Sequence, residues 1–444
     1  MNDMGHDNLK PRSNGSTLFD IDAIVRRAPV IDMHTHLFAP QFKAMYLSGI
    51  DELLTYHYLV AELFRSCPVS PDRFWSMTKS EQAQLVWETL FQENTPVSEA
   101  TRGVVTILNS FGIDVARTPL DDIRAFFRDQ DPSEHLDRVF ELAGVESVVM
   151  TNDPFDADEM KEWDRRGEID PRFHPSLRMD RLLNSWSRTR DFLSSIGRSV
   201  NTNVDSTTIK DIRTYIDERI SDLRPLYLAA SVPDDFRYPA DDHRTRFLRE
   251  VILPTAREHD LPVVLMVGVR RGVNPTLRDA GDGVGQGDVS SLERLCLENL
   301  DVRFFATYLS RENQHELCVA ARKFSNLMPF GCWWFLNNPS IIAEITSQRL
   351  ELLGTTFVPQ HSDARVLEQL IYKWQHSRGV IAQCLSDSYD RLIAVGGSVS
   401  EKQVQRDVTK LFETNFTSWV GIPGRLPRVS AADAAHLADA IHLT

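Results

Sequence analysis

The sequence predicts an α/β protein folded as a distorted (β/α)8 barrel of the TIM type. Eight short apolar segments of strand character recur along its 444 residues, and most precede segments with helical spacing and charged faces, such as 243–259 and 312–324. Strands that alternate with helices indicate a parallel sheet, and eight such units indicate its closure into a barrel. The predicted strands span residues 30–36, 147–151, 172–177, 225–231, 261–268, 302–309, 327–335 and 355–360.

The connection after the first predicted strand departs from this alternation. Roughly 110 residues without a convincing strand follow it, far more than an ordinary loop contains. Segments with helical spacing lie within it at 50–65, 80–91, 98–109 and 120–128, separated by prolines that include Pro71. We therefore expect a helical insertion subdomain over residues 38–145, at the C-terminal end of the first strand, which is the active-site face of barrel enzymes. Residues 19–444 then form a single metal-dependent barrel domain behind a flexible tail at 1–18.

The composition narrows the class of partner. The chain is 42% hydrophobic and 25% charged, with a formal net charge of −14. This negative charge argues against nucleic acid and anionic membrane surfaces as partners, and no apolar stretch approaches the length of a membrane span. Five scattered cysteines without Cys-x-x-Cys spacing indicate reduced thiols rather than a disulfide framework. We expect a cytoplasmic homo-oligomer that acts on a small molecule.

The first predicted strand ends in His34-Thr-His36. Side chains alternate between the two faces of a strand, so His34 and His36 would point the same way. Two neutral imidazoles on one face supply half of a coordination shell for a divalent metal such as zinc. The alternative is that both are ordinary polar side chains near a strand end.

A carboxylate from the last predicted strand decides between these interpretations. That strand runs into Pro359-Gln360-His361-Ser362-Asp363, and strands one and eight are neighbours in a barrel, so Asp363 would lie beside His34 and His36. Two histidines and a carboxylate leave room for water or substrate, as in catalytic zinc sites. We therefore predict one divalent metal ion, zinc, bound by His34, His36 and Asp363. The alternative for Asp363 is to cap the helix that begins near Val366.

Seven short segments in a fixed order are more specific than any one of them. They are His34-Thr-His36; Tyr56-His57-Tyr58 with Arg65; Thr151-Asn152-Asp153-Pro154 with Asp156; His174-Pro175-Ser176-Leu177-Arg178; Gly268-Val269-Arg270-Arg271 with Asn274; Gly331-Cys332-Trp333-Trp334-Phe335; and Ser362-Asp363-Ala364-Arg365. Together they resemble the uronate isomerases of the amidohydrolase superfamily, over most of the length of the chain.

The resemblance implies interconversion of a hexuronic acid, or a related sugar acid, and its keto form through an enediol. Such a reaction needs a proton acceptor, a group that polarises the carbonyl oxygen and an anchor for the substrate carboxylate. The resemblance implies catalytic roles for Asp363, His57 and Tyr58, with Asp363 acting either as a metal ligand or as the base. It implies substrate-binding roles for the following residues: Arg178, Arg365, Arg271, Trp333 and Trp334.

Each of these binding residues also has an ordinary alternative. The alternative for the arginines is to form salt bridges on the barrel rim, which are common and weak. Successive strand residues face opposite sides, so at least one of Trp333 and Trp334 is expected to be structural.

Three positions depart from the pattern of the family. Met266 stands where the fifth strand of the family has a histidine, Ser231-Val232-Pro233 lacks the histidine expected after the fourth strand, and the sixth strand ends in Tyr308. A thioether does not replace an imidazole as a zinc ligand or in proton transfer. A two-metal centre is therefore not expected. Two other functions stay open: a metal-dependent hydrolase of the same superfamily with a mononuclear site, and a sugar-acid-binding relative without catalysis.

Overall fold

A computed structural model describes residues 19–165 and 167–421. The predicted tail at 1–18 lies outside the described residues, as does the stretch 422–444 at the end of the predicted domain. No helix in the described part of the chain is long and apolar enough to cross a membrane.

The described residues contain nine β-strands, arranged in two sheets around one interior. The strands are β1 (Val30–Asp32), β2 (Val145–Val149), β3 (Phe173–His174), β4 (Leu177–Arg178), β5 (Leu228–Pro233), β6 (Val263–Arg270), β7 (Gly283–Val284), β8 (Phe304–Tyr308) and β9 (Leu327–Pro329). One sheet has the order β1-β2-β3 and the other β4-β5-β6-β8-β9, with β7 paired to β6. Every pair is parallel except β6 with β7. The predicted α/β barrel architecture is therefore confirmed, with its ladder divided into two sheets.

Backbone hydrogen bonds cross the first gap between the sheets. The predicted strand 172–177 is divided at Pro175, which has no N–H to donate to a ladder, into β3 and β4. Ser176 N still donates to Met150 O (3.1 Å), and Arg178 N donates to Asn152 O (2.8 Å).

The second gap is bridged by the segment predicted as the eighth strand. Residues 355–360 carry no named strand, and Val358, which precedes Pro359, pairs with Phe330 as an isolated parallel bridge. Further along, Asp363 N donates to His34 O (3.2 Å) and His36 N donates to Ala364 O (2.7 Å). The expected neighbourhood of the first and eighth units is therefore present, although the eighth unit is not a strand.

Seven α-helices fill the long connection between β1 and β2. They are α2 (Ile50–Leu54), α3 (His57–Ser66), α4 (Pro71–Ser76), α5 (Lys79–Trp87), α6 (Glu99–Ser110), α7 (Leu120–Arg128) and α8 (Pro132–Ala143), with a 3₁₀ turn at Pro40–Met45 and a π-helical turn at Glu88–Glu93. Their beginnings follow ordinary capping chemistry: Thr78 and Glu81 form a capping box on α5, and Ser98 accepts a hydrogen bond from Thr101 N on α6. The helical insertion after the first strand is confirmed.

The remaining helices precede β1, connect the later strands or follow the last one. They are α1 (Ile21–Arg27), α9 (Ala157–Arg165), α10 (Asp180–Asn184), α11 (Trp186–Ser195), α12 (Ser206–Leu223), α13 (His243–Phe247), α14 (Leu253–Glu258), α15 (Val289–Glu298), α16 (Asn313–Ala321), α17 (Pro339–Leu353), α18 (Gln369–Ala394), α19 (Glu401–Thr409) and α20 (Asn415–Val420). Short 3₁₀ turns lie at Pro275–Gly281 and Trp334–Leu336, and π-helical turns at Leu248–Ile252 and Lys410–Thr414.

The apolar core has an inner and an outer layer. Inward-facing residues such as Ile31, Val264, Phe305 and Phe330 form one buried cluster, and Phe416 of α20 belongs to it. Their strand neighbours, such as Val263, Phe304 and Ala306, pack against the surrounding helices in a larger cluster. This alternation follows the two-residue period of strand side chains. The inner layer supports the cavity described next.

Candidate active site

His34, His36 and Asp363 meet at the ends of the first and eighth units. Asp363 Oδ1 lies 3.8 Å from His34 Nε2 and 3.4 Å from His36 Nε2. The three ligand atoms all lie within 4.8 Å of one another. His34 and Asp363 are buried, whereas the His36 side chain is one-third exposed. The structure therefore places the three side chains close together, as expected from the sequence.

A buried aspartate fixes the eighth unit against the first. Asp32, fully buried in β1, accepts hydrogen bonds from Ser362 N (3.1 Å) and Trp374 Nε1 (2.9 Å). Burial raises the pKa of Asp32 to about 6, against the lowering effect of these hydrogen bonds. The next residue, Asp363, adopts a left-handed backbone with φ of 53°. Because Asp32 holds the residue before that turn, it helps to aim the Asp363 carboxylate at the histidines.

Two hydroxyl groups set the orientation of the histidine rings. Tyr227 Oη donates its single proton to Met33 O (2.7 Å) and lies 3.3 Å from His34 Nδ1. Since that proton is already used, the hydroxyl is left to accept a hydrogen bond from His34 Nδ1–H. Thr151 acts in the same way, because Oγ1 donates to Thr35 O (3.0 Å) and lies 2.9 Å from His36 Nδ1. In the tautomer with hydrogen on Nδ1, each ring turns an Nε2 lone pair toward Asp363.

The result is a cluster of three acceptor atoms. Asp363 Oδ1 is buried and has no hydrogen-bond partner among the described residues. Burial lowers the pKa of His34 well below its ordinary value, which favours the neutral ring. Burial alone would raise the pKa of Asp363, but the neighbouring histidines, His36 first, hold it below its ordinary value, so the carboxylate is ionised.

A divalent cation fits this donor set. A tetrahedral ion bound at about 2.0–2.1 Å holds its ligand atoms about 3.4 Å apart, close to the two distances from Asp363 Oδ1. The hydrogen bonds from Nδ1 are of the kind that orient metal-bound histidines. The alternative role of Asp363 as a helix cap is wrong, because α18 begins at Gln369 after Glu368.

A cavity of about 380 Å³ opens above the three residues. The insertion, the segments after the strands and the loop after β6 all contribute to its walls. Its predicted residues are His34, His36, His57, Arg178, Arg271, Trp333, Trp334, Asp363 and Arg365. It is also lined by residues that the sequence prediction did not select, among them Thr151, Asp153, Glu159, Asp180, Arg181 and Ser231. A cavity of this size suits a small polar molecule.

The arginines around the cavity differ in how far their charge is already paired. Arg178 donates to Asp180 (3.1 Å), Arg181 pairs with Asp153 (2.7 Å), and Arg271 pairs with Asp282. Within the described residues, the ion-pair partner of Arg365 is Asp279, at 3.6 Å, and the Arg365 side chain is half exposed. Arg365 is therefore the cavity arginine best placed to bind an incoming carboxylate.

His57 separates this cavity from a smaller one. The ring lines both the main cavity and a side chamber of about 260 Å³, and its buried Nε2 has no hydrogen-bond partner in the part of the chain that the structure describes. Burial lowers the pKa of His57 to about 3, so the ring is neutral. Tyr58 lines the side chamber instead of the main cavity, with its ring 4.5 Å from that of His57.

Both tryptophans reach the main cavity, against the expectation that one of two successive residues must face away. The chain leaves the strand geometry after β9, because Gly331 has φ of 63° and Trp334 has φ of 47°. Trp333 is buried and Trp334 is partly exposed, with its ring stacked on Phe335 at 4.7 Å. The two-sided rule for strands does not apply to this turn.

The positions that lack the histidines of the family are filled by other side chains. Met266 and Ser231 line the cavity. Tyr308 faces outward and its hydroxyl donates to Asp288 O (3.2 Å), so its side chain points away from the cavity. Within the described residues, the metal-ligating groups that cluster are His34, His36 and Asp363.

Comparison with known proteins places these features in a family context. No family model and no curated protein match the chain. Among solved structures, a uronate isomerase from Bacillus halodurans C-125 is 47% identical, with a TM-score of 0.88 over 94% of this chain and 97% of that chain. A uronate isomerase from Thermotoga maritima is 14% identical, with a TM-score of 0.73 over 90% and 96% of the two chains. A glucuronate isomerase from Caulobacter crescentus is 15% identical, with a TM-score of 0.70 over 91% and 94%. The latter two share the fold of this chain.

Proposed function

The chain belongs to the uronate isomerase family, and from this premise we propose that it interconverts a hexuronic acid and its ketose form. The observation that carries the proposal is the 47% identity to the Bacillus halodurans enzyme over nearly the whole of both chains. The cavity supports it, because a partly free guanidinium and an ionised carboxylate lie within one small space. We further propose that the substrate-binding and catalytic roles fall to the residues predicted from the sequence.

Arg365 is proposed to hold the substrate carboxylate, with Arg178 and Arg271 providing further positive charge. A guanidinium can bind a carboxylate through two parallel hydrogen bonds. The distance of 3.6 Å between Arg365 and Asp279 exceeds that of a hydrogen bond, so a substrate could replace this weak contact at little cost. Trp333 and Trp334 would enclose the apolar face of the sugar chain.

Asp363 and His57 are proposed to move the protons. Isomerisation removes a proton from the carbon next to the carbonyl and returns one to the former carbonyl carbon, through an enediol. Asp363 Oδ1 faces the histidines, which leaves its second carboxylate oxygen to accept the carbon-bound proton. His57 is neutral and lines the cavity, and its buried Nε2 has no hydrogen-bond partner among the described residues, so we propose that this ring exchanges protons with a substrate oxygen. Tyr58 would act by holding the His57 ring.

We propose that His34, His36 and Asp363 hold one zinc ion. When bound, such an ion would polarise a substrate oxygen as a Lewis acid. The three ligand atoms are all acceptors, and hydroxyl groups orient both histidine rings. These side chains are therefore better suited to bind a cation than to serve a structural role. The homo-oligomer and the cytoplasmic location stay predictions.

The test compares turnover of uronates with that of a neutral sugar. Purified protein should convert D-glucuronate or D-galacturonate to a ketose and should leave D-glucose unchanged. Asp363→Asn should lower kcat by roughly 100-fold or more, because it removes the proton acceptor. Arg365→Ala should raise KM by about tenfold or more, because it removes a charge-assisted anchor.

A matched control separates these effects from general damage. Arg311 has an exposure similar to that of Arg365 and pairs with Glu344 (2.9 Å), but it does not line the cavity. Arg311→Ala should therefore leave KM unchanged. Binding of both uronates without turnover would favour the non-catalytic relative, and release of product from an ester, lactone or amide would favour the hydrolase.

A further inference from the structure

Helix α18 carries a buried lysine close to the candidate active site. The Lys373 side chain is 2% exposed, and its Nζ has no hydrogen-bond partner among the described residues. The nearest carboxylate oxygen is Glu99 Oε1 on α6, at 3.9 Å, which also lacks a partner. Nζ lies 5.1 Å from the centroids of both the Tyr58 and the Tyr372 rings.

The buried ammonium group of Lys373 destabilises the folded protein relative to an apolar side chain of the same size. Burying an ammonium group without hydrogen bonds is unfavourable, and one carboxylate beyond hydrogen-bond distance offsets it only in part. A methionine of similar length would fill the same space without that cost. The charge of Lys373 therefore calls for a role beyond packing.

The position of the charge indicates that role. Tyr58 contacts Nζ with one side and the His57 ring with another, so Lys373 lies behind the wall that His57 forms. The charged and titratable groups near Lys373 are Glu99 on α6, His57 and Tyr58 on α3, Tyr372 and His376 on α18, and His361 and Asp363 after the eighth unit. The positive charges of Arg365 and Lys373 add to burial in lowering the pKa of His57.

We propose that Lys373 is an electrostatic positioning residue, whose buried ammonium stabilises the negative charge that accumulates in the cavity, and that Glu99 sets the strength of this effect. The inference rests on the proposed function. A uronate brings one negative charge to the cavity, and enediol formation develops further negative charge on oxygen. A fixed cation in a poorly solvated position stabilises such charge without reorganising. Lys373 itself forms no covalent bond and transfers no proton.

The proposal is tested by one variant that removes the positive charge, one that keeps it and one that removes the neighbouring negative charge. Lys373→Met removes the cation and should lower kcat on the order of tenfold with little change in KM. Lys373→Arg keeps the charge and should recover most of kcat. Glu99→Gln removes the opposing anion and should raise kcat. A folded Lys373→Met protein with kcat within twofold of the wild type would overturn the proposal, and so would an equal loss in Lys373→Met and Glu99→Gln.

Zinc affinity supplies a readout that does not depend on turnover. Metal-free protein titrated with Zn²⁺ against a competing chelator should bind several-fold more tightly in Lys373→Met and several-fold more weakly in Glu99→Gln, because a nearby cation repels the metal. Structural damage would instead lower both kcat and zinc affinity, and that result contradicts the proposal. If the wild type turns over no uronate, the proposed function fails while the zinc titration still tests Lys373.

Discussion

Replacing Tyr227 with phenylalanine removes one hydroxyl group and leaves the ring in place. That hydroxyl donates to Met33 O (2.7 Å) and accepts from His34 Nδ1 (3.3 Å), and the whole side chain is buried. In the variant, the His34 ring is free to turn or to carry its proton on Nε2. Either change removes a lone pair from the cluster that faces Asp363.

The size of the effect follows from these two contacts. Loss of a group that orients a metal ligand typically weakens metal binding by about 10- to 100-fold. The His34 contact is long for a hydrogen bond, so we expect the lower end, about tenfold, or roughly 1.4 kcal/mol. The unpaired Met33 carbonyl should separately lower the free energy of unfolding by about 1–2 kcal/mol.

Tyr308→Phe is the matched control. Tyr308 is also buried, and its hydroxyl also donates to a backbone carbonyl, that of Asp288 (3.2 Å), but it faces away from the cavity. Metal-free wild-type protein and both variants are titrated with Zn²⁺ against a chromophoric chelator, and urea unfolding is measured alongside. Both variants should lose similar stability, and only Tyr227→Phe should lose zinc affinity. Equal zinc affinity in the two variants would refute the argument that Tyr227 orients His34.

Two stability predictions come from the cavity wall and the turn below it. Burial raises the pKa of Glu159 from 4.5 to about 7. A carboxyl group whose pKa rises on folding adds stability at low pH and loses it as the pH rises through the folded value, so this group alone should make the wild type up to about 3 kcal/mol less stable at pH 8 than at pH 5. Glu159→Gln should remove that difference in urea unfolding, and an unchanged difference would assign it to other groups. A Cβ at Gly331 would lie 1.8 Å from His361 Nδ1 at a backbone φ of 63°, whereas Gly354 has φ of 62° and nothing within 4 Å. Gly354 combines its positive φ with ψ of −124°, outside the left-handed helical region, so Gly354→Ala should cost a backbone term of about 1–3 kcal/mol. Gly331→Ala should add the clash with His361 to its own backbone term, and a cost no larger than that of Gly354→Ala would show that His361 moves freely.

The fold was predictable where short apolar runs alternate with amphipathic helices. The spacing of apolar residues in such segments indicates which face of each strand or helix is buried. The boundaries were less predictable where one residue changes the backbone. Pro175 divides one predicted strand, and Pro71, expected to separate helices, is instead the first residue of α4. Proline is well tolerated at that position, since its missing N–H would be unpaired there in any case.

The metal cluster was predictable for a different reason. His34 and His36 lie two positions apart in the sequence, and barrel topology alone brings Asp363 to them. The groups that orient the cluster carry no such signature. Tyr227 meets His34 across 193 residues and Thr151 meets His36 across 115, and a hydroxyl near a strand has many other uses. Asp32 is close to the cluster in sequence but acts through Ser362, which is 330 residues away.

The most direct test of the account follows the substrate itself. Metal-loaded wild-type protein is given D-glucuronate labelled with ¹³C at C1, and the reaction is followed by NMR beside Asp363→Asn. We expect the anomeric C1 signals to give way to the hydroxymethyl signal of a ketose in the wild type and to persist in the variant. Unchanged anomeric signals from folded, metal-loaded wild-type protein, with galacturonate equally inert, would contradict it.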